Sequence, residues 1–117
     1  MSASPSSMIT QADLFARACT ALDTNRVENV GGLALEGRSR RPSQAEASGW
    51  AAVMSIAAGE LDDARRAIEQ ALRLEPDNDA IRQVRISVLR RVATERVERE
   101  KAATRERRSI LGRLRRD

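Results

Sequence analysis

Histidine and tyrosine are absent from this 117-residue chain, and cysteine occurs once, as Cys19. Without an imidazole the usual general base for a serine or thiol nucleophile is missing, and no His or Cys pair has zinc-site spacing. A lone thiol closes no internal disulfide. Cys19 falls on the apolar series of a predicted helix, so a buried thiol in a reducing compartment is expected. Phe15 and Trp50 are the aromatic residues. So few large rings among many alanines suit close helix packing rather than a sandwich or barrel. No apolar run approaches the ~20 residues that cross a bilayer. The opening MSASPSSMIT has neither the basic start nor the apolar centre of a secretory signal, which points to a cytoplasmic protein. Glycine-rich phosphate loops are missing too. The acidic group Glu60, Asp62 and Asp63 crowds a predicted helix start, where it complements the helix dipole without any active site. The expectation is a non-enzymatic chain with no catalytic residue, cofactor, metal or small-molecule substrate.

What is abundant is arginine, and it is unevenly placed. The chain has 21 basic and 17 acidic residues, net +4. Residues 1–81 hold eight basic and twelve acidic groups, whereas residues 82–117 hold thirteen and five. The carboxy-terminal third therefore carries the positive charge, a pattern that suits an anionic partner. Every basic residue except Lys101 is arginine. Arginine grips phosphate or carboxylate with two parallel bonds. A GC-rich bacterial coding sequence accounts for the same preference.

Read in order, residues 1–8 have too little apolar content to offset the entropy of ordering them and form a disordered lead-in. Thr10 caps a helix with Leu14, Phe15, Ala18 and Leu22 on one face, running to about Asp23, and Asp13 meets its dipole. Asp23-Thr24-Asn25 is a turn. Val27, Val30, Leu33, Ala34 and Gly37 then mark a weaker second helix, because Gly31-Gly32 costs it about 2 kcal/mol relative to alanine. Either packing rescues that helix or it is a short turn with a loop. Gly37–Gln44, with Arg38, Arg40 and Arg41, reads as a polar connection, solvated or phosphate-binding.

Residues 45–78, AEASGWAAVMSIAAGELDDARRAIEQALRLEPDN, form an αα-hairpin. Trp50, Val53, Met54 and Ala57 have helical spacing and stop at Gly59; Leu61, Ala64, Ala67, Ile68, Ala71, Leu72 and Leu74 do so and stop at Pro76. Ala52, the turn Gly59-Glu60-Leu61, Asp63-Ala64, Ile68, Ala71-Leu72, Leu74 and Pro76–Asn78 match a 34-residue pattern. On those residues the unit resembles the tetratricopeptide repeat. It departs from that pattern at Ser48 and Ser55, where aromatics are usual. Pro42 lies 34 residues before Pro76, and laying residues 11–44 over 45–78 sets Ala18 against Ala52 and Ala34 against Ile68. Residues 11–44 are thus a degenerate first repeat or an unrelated helix pair. The resemblance implies an all-α fold of TPR-like antiparallel helical hairpins that holds other proteins, with a groove lined by the first helix of each pair. Carried onto this chain, groove residues are Glu46, Gly49, Val53, Ile56 and Ala57, unless the amino-terminal helices bury Val53 and Ile56.

Asp77 or Asn78 caps the next helix, in which Ile81, Val84, Val88 and Val92 form one stripe and Ile86, Leu89 and Ala93 a second. That breadth implies burial, so residues 9–93 make up the helical domain. Residues 94–117 extend the same long C-terminal helix as a basic tail, supported by pairs such as Glu95 with Arg99, Arg96 with Glu100 and Glu98 with Lys101. Ile110, Leu111 and Leu114 restore an apolar face among arginines. The contact residues expected in the tail are Arg99, Arg105, Arg107, Arg108, Ile110, Leu111, Arg113, Leu114, Arg115 and Arg116. Their partner is an acidic protein within a larger assembly, or else nucleic acid or an anionic lipid surface; a merely solvated tail is the remaining alternative.

Overall fold

The computed structural model describes residues 9–116; the expected lead-in, residues 1–8, lies outside the described residues. Among the described residues there are five α-helices and no strand: α1 Gln11–Asp23, α2 Val30–Ser39, α3 Gln44–Ala57, α4 Leu61–Leu74 and α5 Asp79–Arg116. The fold is all-α with a long carboxy-terminal helix.

Two helical hairpins have the same local construction. Thr10 caps α1 through a capping box with Asp13, and Ser43 caps α3 through one with Glu46. The bond from the Thr10 amide holds the Asp13 carboxyl below its usual range. At the other end of α1, Asn25 takes φ 59°, and the amides of Asn25 and Arg26 return to the carbonyls of Leu22 and Ala21. At the end of α3, Gly59 takes φ 78°, and the amides of Gly59 and Glu60 return to Ile56 and Ser55. Both are Schellman turns, placed 34 residues apart, and only the second uses the residue that adopts positive φ without strain.

The second helix is rescued by packing. A 3-10 turn, Val27–Asn29, leads into α2, which buries Val30, Ala34 and Gly37. Helix continues through Ser39, so the polar connection is shorter than Gly37–Gln44. Arg40 lies at its start, paired with Glu36 and donating to the carbonyl of Ile9. A side-chain carbon at Gly31 or Gly32 would meet nothing within 4 Å. Gly31→Ala and Gly32→Ala should therefore each stabilise the chain by about 1 kcal/mol in urea unfolding, since the helix gains propensity and no contact is disturbed.

The core is centred on Trp50, fully buried on α3 and stacked on Phe15 of α1, ring centroids 4.0 Å apart and 14° from parallel. Its indole N–H donates to the Gln11 side-chain oxygen at 2.8 Å, and the Gln11 amide donates to the Gly37 carbonyl at 2.7 Å. One glutamine thus ties α1, α2 and α3 together and leaves the buried indole satisfied. Ile68 and Ala71 of α4 and Ile81, Val84, Val88 and Val92 of α5 complete the core.

Helix α5 starts from Asn78, whose side-chain oxygen accepts from the Ile81 amide at 3.1 Å. The bond from Asn78 to Glu75, reinforced by Ser43, keeps the Glu75 carboxyl below its usual range. Of the helices in the bundle, α5 contacts α1 most extensively, then α4 and α3. Arg85 pairs with Glu69 of α4 at 2.9 Å, and Arg90 with Asp23 of α1 at 3.4 Å. Ser87, buried, donates to Asp23 at 3.3 Å. The hairpins are therefore closed by α5 lying against the first helix.

Candidate functional site

Closure of the bundle places the expected groove residues. Val53 is fully buried, Ile56 nearly so, and Gly49 lies under Phe15, whose ring carbon would stand 3.0 Å from a side-chain carbon there. Glu46 is half-buried, its carboxylate accepting the Ser43 amide at 2.8 Å. Ala57 is half-buried against the core. Glu46, Val53 and Ile56 therefore have structural tasks inside this chain. A concave groove is not open along α3, because α1 and α5 meet across it.

The tail residues lie elsewhere. Val92 is the last buried side chain of α5, and the helix continues for another 24 residues to Arg116. The second stripe does not share the first one's burial: Ile86 is 42% exposed and Ala93 is exposed, with Leu89 between the two conditions. A 38-residue helix spans roughly 57 Å. It gives the molecule extents of 78 × 30 × 18 Å and a radius of gyration of 18.4 Å, against about 13 Å for a compact chain of this size.

Where α5 leaves the bundle, Arg96 and Arg99 share a cleft with Glu60, Asp62 and Asp63 at the first turn of α4. Opposite charges face each other there, so the departure is electrostatically favourable while remaining open to water and salt. Beyond this point the contacts are local. Glu95 turns back to Arg91 at 3.3 Å rather than forward to Arg99, and Lys101 approaches Glu98 at 3.9 Å. Arg99, Arg105, Arg107, Arg108, Arg113, Arg115 and Arg116 are all exposed, as are Ile110, Leu111 and Leu114. The structure gathers every expected tail residue onto one projecting helix. They do not share one face, since consecutive positions turn by about 100°.

Val97, Lys101 and Thr104 belong to the same surface, although composition and charge alone do not single them out as contact residues. Val97 is 47% exposed. The signal for Val97 and Thr104 is the spacing 97, 104, 111, with Lys101 beside it, and it becomes informative only once the buried side of α5 is known.

Cys19 is half-buried, and burial pushes its thiol above the usual range. It should alkylate slowly with iodoacetamide at pH 7.5 in the native chain and rapidly in urea, because the thiolate is the reactive form and folding disfavours it. Among the described residues no group of three or more His, Cys, Asp or Glu is placed to hold a metal ion, and no helix is long and apolar enough to cross a membrane. No protein-family model, curated protein or solved structure matches the chain.

Proposed function

We propose that this chain is a non-enzymatic helical adaptor whose bundle, built as tetratricopeptide-like hairpins, holds out the second half of α5 as a docking surface for a protein partner in a larger assembly in the cytoplasm. The observation that carries this reading is the helix that continues past Val92 without burying another side chain, with Val97, Ile110, Leu111 and Leu114 exposed along it. An isolated helix of this length is marginal in water, and an apolar residue on it gains nothing until another surface covers it. The bundle supplies a rigid origin and the helix supplies reach. Nucleic acid is the second reading, favoured by the exposed arginines Arg105, Arg107, Arg108, Arg113, Arg115 and Arg116.

Ending the chain after Arg99 removes no buried side chain, so the shortened protein should keep its melting temperature and urea midpoint. Affinity capture from the native cell should recover a defined protein with the full chain and lose it with the shortened one. Recovery unchanged by the truncation would refute docking through α5. Recovery of nucleic acid alone, with steep loss as salt rises, would support the second reading.

A further inference from the structure

Resting on that adaptor reading, we propose that the contact face of α5 is the side turned away from the bundle, centred on Val97, Thr104 and Leu111. Its occupant is an acidic amphipathic helix of the partner protein.

The direction comes from the buried stripe. Ile81, Val84, Val88 and Val92 define the core side of α5. Advancing by about 100° per residue, Val97, Thr104 and Leu111 fall within about 20° of a single line on the opposite side. Ile86 and Ala93 extend the same line back over the bundle. A helix that served only to close the bundle would carry polar residues there. Instead Ile86 is 42%, Val97 47% and Leu111 54% exposed. From Ile86 to Leu111 the line runs about 38 Å, long enough for a partner helix to engage both the bundle and the extension.

Charge sorts onto the same side. Within about 60° of the line lie Lys101, Arg107, Arg108 and Arg115, opposed only by Glu100. Toward the core side, Arg99, Arg105, Arg113 and Arg116 stand against Glu95, Glu98 and Glu106, a net of one. Most of the positive excess of the tail is thus outward, flanking the apolar line, whereas the other side is nearly balanced. Val97 and Leu111, two heptads apart with the small Thr104 midway, are spaced as a second helix meets them when it lies alongside at a shallow angle. Basic flanks select acidic ones across such an interface.

Other occupants fit less well. A second copy would bring Lys101, Arg107, Arg108 and Arg115 against the same cations. Phosphodiesters would satisfy the arginines, but they gain nothing from Val97 or Leu111, are repelled by Glu100 and find no aromatic for stacking. A lipid surface takes up a broad apolar face, whereas here Ile110 and Leu114 widen the line only at the carboxy-terminal end, and Val97 and Thr104 have no large apolar neighbour beside them.

The test uses the full chain and two charge-matched variants. One is Lys101→Glu with Arg108→Glu and Arg115→Glu; the other is Arg99→Glu with Arg113→Glu and Arg116→Glu. A third variant, Val97→Asp with Leu111→Asp, removes the apolar line, and circular dichroism checks that each remains helical. The probes are a synthetic acidic helix of about three heptads with leucine on one seam, its scrambled isomer, short DNA and RNA duplexes, and phosphatidylserine vesicles. The acidic helix should bind more tightly than its isomer. The outward triple and the apolar pair should each weaken it about tenfold or more, and the core-side triple less than about threefold. Equal losses from the two triples, or equal binding of the scrambled isomer, would overturn the face while leaving the tail a contact surface. Preference for duplex or vesicle would overturn the occupant. A chain that binds no probe would also overturn the occupant, and the Arg99 truncation decides separately whether docking through α5 survives.

Discussion

Gly37→Ala should destabilise the chain by about 3 kcal/mol in urea unfolding, even though alanine favours a helix by about 1 kcal/mol over glycine. A side-chain carbon at Gly37 would collide with the edge of the Trp50 indole, at its nitrogen and the adjoining carbons of the six-membered ring. Trp50 cannot retreat: Phe15 stacks on it, and its N–H is held by Gln11, which also binds the Gly37 carbonyl. Substitution must therefore displace α2, or break the bond that satisfies the buried indole. A loss of this size should lower the melting temperature by roughly 15 °C and move the tryptophan emission to longer wavelength. The contrast with Gly31→Ala, on the same helix and expected to stabilise, separates packing from helix propensity. A neutral Gly37→Ala would mean that α2 does not pack on Trp50.

The second large effect is a gradient of amide protection along α5. Amides near Ile81, Val84 and Val88 open only with the whole bundle and should exchange with close to the global free energy. Those of residues 105–116 are backed by no buried side chain, and Gly112 weakens the helix further. Protection should fall by about a thousandfold or more between the two regions, with the change near Arg96 and Arg99, where the extension passes the acidic first turn of α4. Added salt should move that boundary toward Val92, because the charges there are open to water. Uniform protection to the carboxy terminus would show that the extension is packed in the free protein.

These outcomes depend on features that differ in how far the amino-acid sequence reveals them. Helix positions were legible because caps and stops are local: Thr10, Asp23, Gly59, Pro76 and Asn78 act through neighbouring backbone groups. The stripe Ile81, Val84, Val88 and Val92 was legible because burial follows helical period. The second stripe was misleading, since the apolar character of Ile86 and Ala93 does not say whether a neighbour exists on that side. Val53 and Ile56 show the same limit: their spacing places them on one face, and only the approach of α1 and α5 makes that face interior. Gly37 is the clearest case of a residue whose task is non-local. In the sequence it borders a polar segment, while in the fold it is the floor on which Trp50 rests. The exposed tail was legible in composition and length, but the sorting of its charges outward requires the direction of the core.

The most direct test of docking through α5 is a photo-crosslinking residue placed at Thr104, with one at Leu35 as control, in the cells that make the protein. Leu35 is 72% exposed on α2, a helix that has no extensive contact with α5. Position 104 should yield one discrete protein adduct that disappears when Lys101, Arg108 and Arg115 are replaced by glutamate, and position 35 should yield none. Protein adducts from position 35 alone, or none from position 104, would contradict the assignment of α5 as the surface that meets the partner.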